Sequence, residues 1–155
     1  MRLVVDNRHI TLNEILEADN VKVSEDVKYK DSFLKGHHFL ISQIQNDKPI
    51  YGVTTGYGAS GKNYLTYEQS EILQQNLYRF HGCGVGQPLN EEICRYMVLI
   101  RLISLSKGKS GISYELLQRL EMLLDKNIIP VIPSLGSVGA SGDLKIGRAS
   151  CRERV

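Results

Sequence analysis

Apolar and polar positions alternate between two rhythms along this chain, and the rhythm predicts its elements. Residues 2–6 and 9–12 read as two short strands around Asn7-Arg8, a small hairpin. Thr11 caps a short helix over 12–18, with Glu14 at the third position of a capping box. From Ser24 to about Gln45, Val27, Phe33, Leu34, Leu40, Ile41 and Ile44 recur at helical spacing, although Gly36 weakens the middle. A turn at 46–49 leads into a Gly- and Thr-rich loop over 50–61. Thr66 and Gln69 then form a capping box for a helix over 67–80.

Glycines at 82, 84 and 86 and Pro88 punctuate the chain before Asn90 caps an apolar helix to about Ser106, which Gly108 and Gly111 end. Ser113 starts another helix, with Leu116, Leu117, Leu120, Leu123 and Leu124 on its buried side, and Asn127 closes it. Residues 128–133 read as extended. The fold class is mainly α with a small β element at the start, without an internal repeat or inter-domain linker.

At 155 residues, 42% hydrophobic and 23% charged, the chain suits one soluble domain with a core. A net charge of +2 argues for neither nucleic acid nor membrane surface as a partner. Cys83, Cys94 and Cys151 form no metal or redox spacing, and an odd count without a signal peptide suggests reduced thiols, hence a cytoplasmic protein. The most apolar stretch, 93–105, is interrupted by Arg95 and Arg101 and is too short to span a bilayer. His37 and His38 are adjacent, so on a helix they face different ways and make a poor metal pair; no metal is expected.

The stretch richest in chemistry is Ser-Leu-Gly-Ser-Val-Gly-Ala-Ser-Gly-Asp-Leu at 134–144, with three glycines and three serines. Composition alone reads equally as a Gly/Ser linker. If the chain bends tightly at Ala140-Ser141-Gly142, the Gly142 nitrogen can reach the Ala140 carbonyl carbon and close a five-membered ring. Loss of water from that ring and from the Ser141 side chain leaves an exocyclic methylidene, an electrophile that no ordinary side chain supplies. Alanine and glycine keep both reacting atoms unhindered.

A second stretch is Tyr-Gly-Val-Thr-Thr-Gly-Tyr-Gly at 51–58. A tyrosine among glycines can present its phenol to a ligand, or pack against a turn. A phenol titrates at about 10 in water, so acid/base work near neutrality needs a tuned environment. The same loop offers a rival reading: residues 56–62 match G-x-x-x-x-G-K of a phosphate-binding loop. That motif needs a strand before and a helix directly after, and Asn63 stands where a hydroxyl should meet magnesium. A third stretch, 75–86, places Phe80-His81 at a helix C-terminus.

These stretches together resemble the histidine and phenylalanine ammonia-lyase family. Residues 134–144 are similar to its signature, whose Ala-Ser-Gly triplet makes the 4-methylidene-imidazol-5-one (MIO) group. Residues 51–58 look like its Tyr-Gly-(Ile/Val)-Asn-Thr-Gly-Phe-Gly loop, with Thr54 for the commoner Asn. The 101–112 segment resembles Arg-x-Asn-x-Leu-x-x-Gly-x-Ser-Gly, without the Asn.

The resemblance implies the N-terminal part of an L-aspartase/fumarase-like helical fold. It implies non-oxidative deamination of an L-aromatic amino acid, histidine or tyrosine favoured, through MIO formed from Ala140, Ser141 and Gly142. A 2,3-aminomutase is the close variant, and a non-catalytic helical or nucleotide-binding module the distant one. Tyr51 takes the role of catalytic acid/base on a lid, Phe80 and His81 that of substrate-ring selection, and Gly58, Asp143 and Leu144 support. Phe80-His81 mixes the phenylalanine-type and histidine-type pairs, so the substrate is legible only as aromatic.

The resemblance covers 1–144 and then stops. Residues 145–155 are basic, lack apolar periodicity and read as translated adapter sequence, with a genuine basic tail as the alternative. The family's remaining active-site residues fall beyond 144 and its sites are built across a homotetramer, so this polypeptide alone is expected to be inactive.

Overall fold

The computed structural model describes residues 1–80 and 84–136, with Tyr67 and 77–80 described by backbone alone. Its elements run β1 (Arg2–Val5), α1 (Leu12–Leu16), β2 (Asn20–Val23), α2 (Val27–Gln45), a 3-10 turn (Gly58–Lys62), α3 (Tyr67–Phe80), β3 (Val85–Pro88), α4 (Glu91–Leu105), α5 (Tyr114–Asp125) and β4 (Pro133–Leu135). Helices dominate, as the periodicity predicts.

The N-terminal hairpin does not form. β1 pairs in parallel with β2, in the register Arg2↔Asn20 to Val5↔Val23, and α1 makes the crossover. Residues 9–11 are irregular because the capping box claims Thr11: Glu14 accepts the Thr11 N–H at 2.8 Å, while the Glu14 N–H donates to Thr11 Oγ1 at 3.4 Å. The Thr11 N–H, the Thr11 hydroxyl at 2.9 Å and Arg8 2.8 Å away hold the Glu14 carboxyl down at about 2. The strands bury Leu3, Val5, Val21 and Val23 on one face, as a period of two demands.

That face lies on a helical layer. Val98, Leu99, Leu102 and Leu105 of α4 and Leu117, Leu120 and Leu124 of α5 join it in one apolar cluster with Tyr29 and Phe33 of α2. Removing such side chains from water, at roughly 1.5–3 kcal/mol each, is the main force assembling the cluster. Tyr29, Phe33 and Tyr114 meet edge to face, with ring centroids 5.1–6.4 Å apart. Their polar ends are satisfied by main chain: Tyr29 donates to the Ser106 carbonyl at 3.0 Å and Tyr114 to the Ser24 carbonyl at 2.8 Å. Burial pushes the Tyr29 phenol up to about 12.

Arg95 bolts the layers together, donating to the Leu124 carbonyl at 2.9 Å and the Asp19 carbonyl at 2.8 Å. His37 lies 2.9 Å from the Gly111 carbonyl, a packing role that separates it from His38. Helix α2 is capped by Asp26, whose carboxylate takes the Tyr29 N–H at 2.9 Å, two residues later than the Ser24 opening that the sequence suggests. Ser24 accepts the Asp26 N–H instead. β3 and β4 form an antiparallel pair, Val85↔Leu135 and Pro88↔Pro133, so the chain leaves the described region at 136 from a fixed strand.

Candidate active-site loop

The loop between α2 and α3 is a folded unit built by its own short-range bonds. Asn46 ends α2, and Asp47 reverses the chain with φ 52°. Thr54 then closes a turn, accepting the Ile50 N–H at 2.8 Å and donating to the Lys48 carbonyl at 2.8 Å. Thr55 is buried, accepts the Gly52 N–H at 3.2 Å and pairs across the loop with Tyr64. At the far end Thr66 and Gln69 form the predicted capping box, with bonds of 3.0 and 3.3 Å, and start α3. Here Thr54 and Thr55 do through hydroxyls what loop asparagines do through amides.

Tyr51 sits at the tip and is 66% exposed. Its phenol oxygen does not point into the core; it accepts the backbone N–H of Gly58 at 2.9 Å. Gly58 has φ +56°, a left-handed conformation that turns this amide toward Tyr51. The Tyr51 ring also meets Tyr57 edge to face, at 6.1 Å and 84°. The sequence therefore names both members of this contact, Tyr51 and Gly58, and the fold brings them together.

The phosphate-loop reading fails on geometry. Residues 51–54 are a turn rather than a strand, and 58–62 form a 3-10 turn. The amides that would cradle phosphate are already spent: Gly56 donates to the Asn63 carbonyl, Gly58 to Tyr51 and Ser60 to the Tyr57 carbonyl.

Three further residues brace the loop on α3, and the sequence reading passed over them. Ser70 donates to the Val53 carbonyl, Gln74 Nε2 to the Gly52 carbonyl at 2.8 Å, and the Tyr57 hydroxyl lies 2.9 Å from that same carbonyl. The signal available was Tyr57 where the resembled loop carries Phe.

Phe80 is the last residue of α3, and its side chain and His81 lie outside the description. Ala140, Ser141, Gly142, Asp143 and Leu144 also lie outside the described residues. An open pocket of about 260 Å³ between α4 and the 127–131 segment, lined by Leu89, Cys94, Ile129 and Val131 among others, includes no predicted site residue. Among the described residues no three His, Cys, Asp or Glu side chains gather as a metal site would, and no helix is long and apolar enough to cross a membrane.

Comparison with known proteins converges on one family. The family described as aromatic amino acid lyase matches residues 10–147. The chain is 37% identical to histidine ammonia-lyase of Alkaliphilus oremlandii, covering 92% of the chain and 29% of that protein. It is 42% identical to histidine ammonia-lyase of Bartonella quintana, covering 93% and 28%. The chain thus spans under a third of the length of these curated relatives. Among solved structures, tyrosine aminomutase from Streptomyces globisporus superposes with TM-score 0.79 at 32% identity, covering 88% of this chain and 26% of that one. Histidine ammonia-lyase from Trypanosoma cruzi superposes with TM-score 0.73 at 26% identity, covering 88% and 27%.

Proposed function

The chain belongs to the aromatic amino acid lyase family, and we propose that it carries the N-terminal share of an active site that eliminates ammonia from an L-aromatic amino acid. Histidine is the favoured substrate, since the curated relatives quoted above are histidine ammonia-lyases. Tyrosine comes second.

The observation that carries this reading is the Tyr51 phenol, exposed at the tip of a tied-down loop with the Gly58 N–H as its one partner among the described residues. As the phenolate, an oxygen so placed can take a proton from a substrate carbon and become the phenol, and the Gly58 N–H donating to it favours the anionic form that does so. Ala140-Ser141-Gly142 has the residue types the MIO ring needs: an unhindered carbonyl, a hydroxyl that can leave as water and an unhindered amide nitrogen. β4, held on β3 through Leu135 and Val85, fixes the strand from which that segment departs. Once closed, the ring supplies an electrophile for the substrate's amine. Phe80 and His81 contact the substrate ring, and Asp143 helps shape the bend that brings Gly142 onto Ala140.

The test is the intact mass of the full-length gene product together with ammonia release from L-histidine and L-tyrosine. A protein two waters lighter than its sequence that releases ammonia supports the reading. Ammonia release at the unmodified mass overturns it. A 2,3-aminomutase is the second reading, favoured by the likeness to the tyrosine aminomutase; a β-amino acid product would identify it.

A further inference from the structure

Two residues of α3 spaced i, i+4 share one helix face, and both reach the main chain immediately after Tyr51. Ser70 takes the Val53 carbonyl and Gln74 the Gly52 carbonyl. Tyr57 completes the arrangement from the loop's other limb. Its hydroxyl is 2.9 Å from the Gly52 carbonyl and 3.1 Å from Gln74 Oε1, so its single proton is shared between two acceptors. Its ring faces Tyr51 at 6.1 Å. Gly52 is held at φ +71°, and a Cβ there would stand 2.7 Å from Tyr57 Cε1. Both the carbonyl's direction and the tyrosine's close approach therefore require glycine at 52.

We propose that Tyr57 and Gln74 act as one clamp on the Gly52 carbonyl and are positioning residues for Tyr51. They fix the turn that carries its phenol, so that the oxygen stays on the Gly58 N–H. The inference rests on the reading of Tyr51 as the acid/base group. The resembled loop carries Phe at position 57 and lacks this hydroxyl. The clamp is therefore a feature of this chain's own residues rather than of the loop pattern.

Hydrogen exchange at the Gly58 amide of the 155-residue chain reads the clamp without any activity. Tyr57→Phe, which keeps the ring, and Gln74→Leu should each speed that exchange about five- to tenfold, with the double variant no faster than the worse single one. Unchanged exchange, or additive effects, overturns the clamp. In the full-length enzyme the same variants should lower kcat about tenfold with KM within about twofold, the mark of geometry lost in the transition state. Gln74→Glu, which keeps the acceptor facing Tyr57 but replaces the donor to the Gly52 carbonyl with a carboxylate oxygen, should lower kcat at least as much as Gln74→Leu; near-parent kcat in it overturns the clamp. Faster exchange with unchanged kcat overturns the positioning role. Tyr51→Phe in the same enzyme separates the two ideas: if it turns over normally, the acid/base reading falls, whatever the exchange data show.

Discussion

The backbone N–H of Gly58 meets the phenol oxygen of Tyr51 at 2.9 Å, across seven residues of loop. The side chain that would do the chemistry is thus held by a main-chain group, and the direction of that group depends on one glycine's conformation. No sequence change at 58 can delete the amide without also disturbing the turn.

Gly58 separates backbone strain from crowding, because a Cβ there would meet nothing within 4 Å. Its φ of +56° is the sole obstacle. Gly58→Ala should cost about 1–2 kcal/mol locally, and Gly58→Asn less, since asparagine tolerates the left-handed region. Urea unfolding of the three proteins checks the order. In the full-length enzyme, turnover should fall in the same order.

Acid should weaken the start of the fold through Glu14. Its folded carboxyl lies at about 2 against 4.5 for the free group, chiefly because it accepts the Thr11 backbone N–H. A depressed carboxyl stabilises the fold above the free value and loses that contribution as pH falls from 4.5 toward 2. Glu14→Ala should flatten stability over that window, and Glu14→Gln, still able to complete the capping box, should retain more stability than Ala at neutral pH. Urea midpoints measured across the window read both effects.

Alkali should act on the core through Tyr29. Burial raises its phenol from 10 to about 12, so the folded state favours the protonated form. Its contribution is complete below pH 10 and is lost as pH rises from 10 toward 12. Tyr29→Phe should be less stable at neutral pH, because the Ser106 carbonyl loses its donor, yet fall off less steeply in alkali. Thermal melts across that range check the slope. An equal alkaline slope in both proteins would count against burial of the phenol.

Sequence pattern revealed what is local. The capping boxes at Thr11/Glu14 and Thr66/Gln69 involve residues three apart, and both form as read. Helices α4 and α5 begin at the caps named, Asn90 and Ser113. What escaped depends on distant partners. Leu3 and Val5 alternate identically in a hairpin or a parallel pair, and only the distant partner Val21-Lys-Val23 decides between them. β3, Val-Gly-Gln-Pro, reads as punctuation because nothing in it announces that Ser134 and Leu135 will lie alongside. Likewise Tyr29, absent from the predicted apolar stripe, is buried because Ser106 offers its carbonyl across the core. In the candidate loop the resemblance names Tyr51 and Gly58, which the fold brings together, whereas Gln74 gives no sign in the sequence of its reach to Gly52.

The proposal for Ala140-Ser141-Gly142 makes its sharpest demand on Ser141. Two waters must leave: one as the Gly142 nitrogen closes on the Ala140 carbonyl carbon, the other carrying away the Ser141 hydroxyl. Ser141→Ala removes the second departure and leaves the first possible. The full-length variant should therefore weigh within one water of its sequence, where the parent is two waters lighter. It should lack the near-ultraviolet absorbance of the conjugated ring and lose nearly all turnover. Its melting temperature should stay close to the parent's, because a single hydroxyl is removed; this separates lost chemistry from lost folding. Turnover near the parent's rate from a correctly folded Ser141→Ala protein would mean that ammonia leaves by another route. The electrophile would then have to be sought elsewhere in the enzyme.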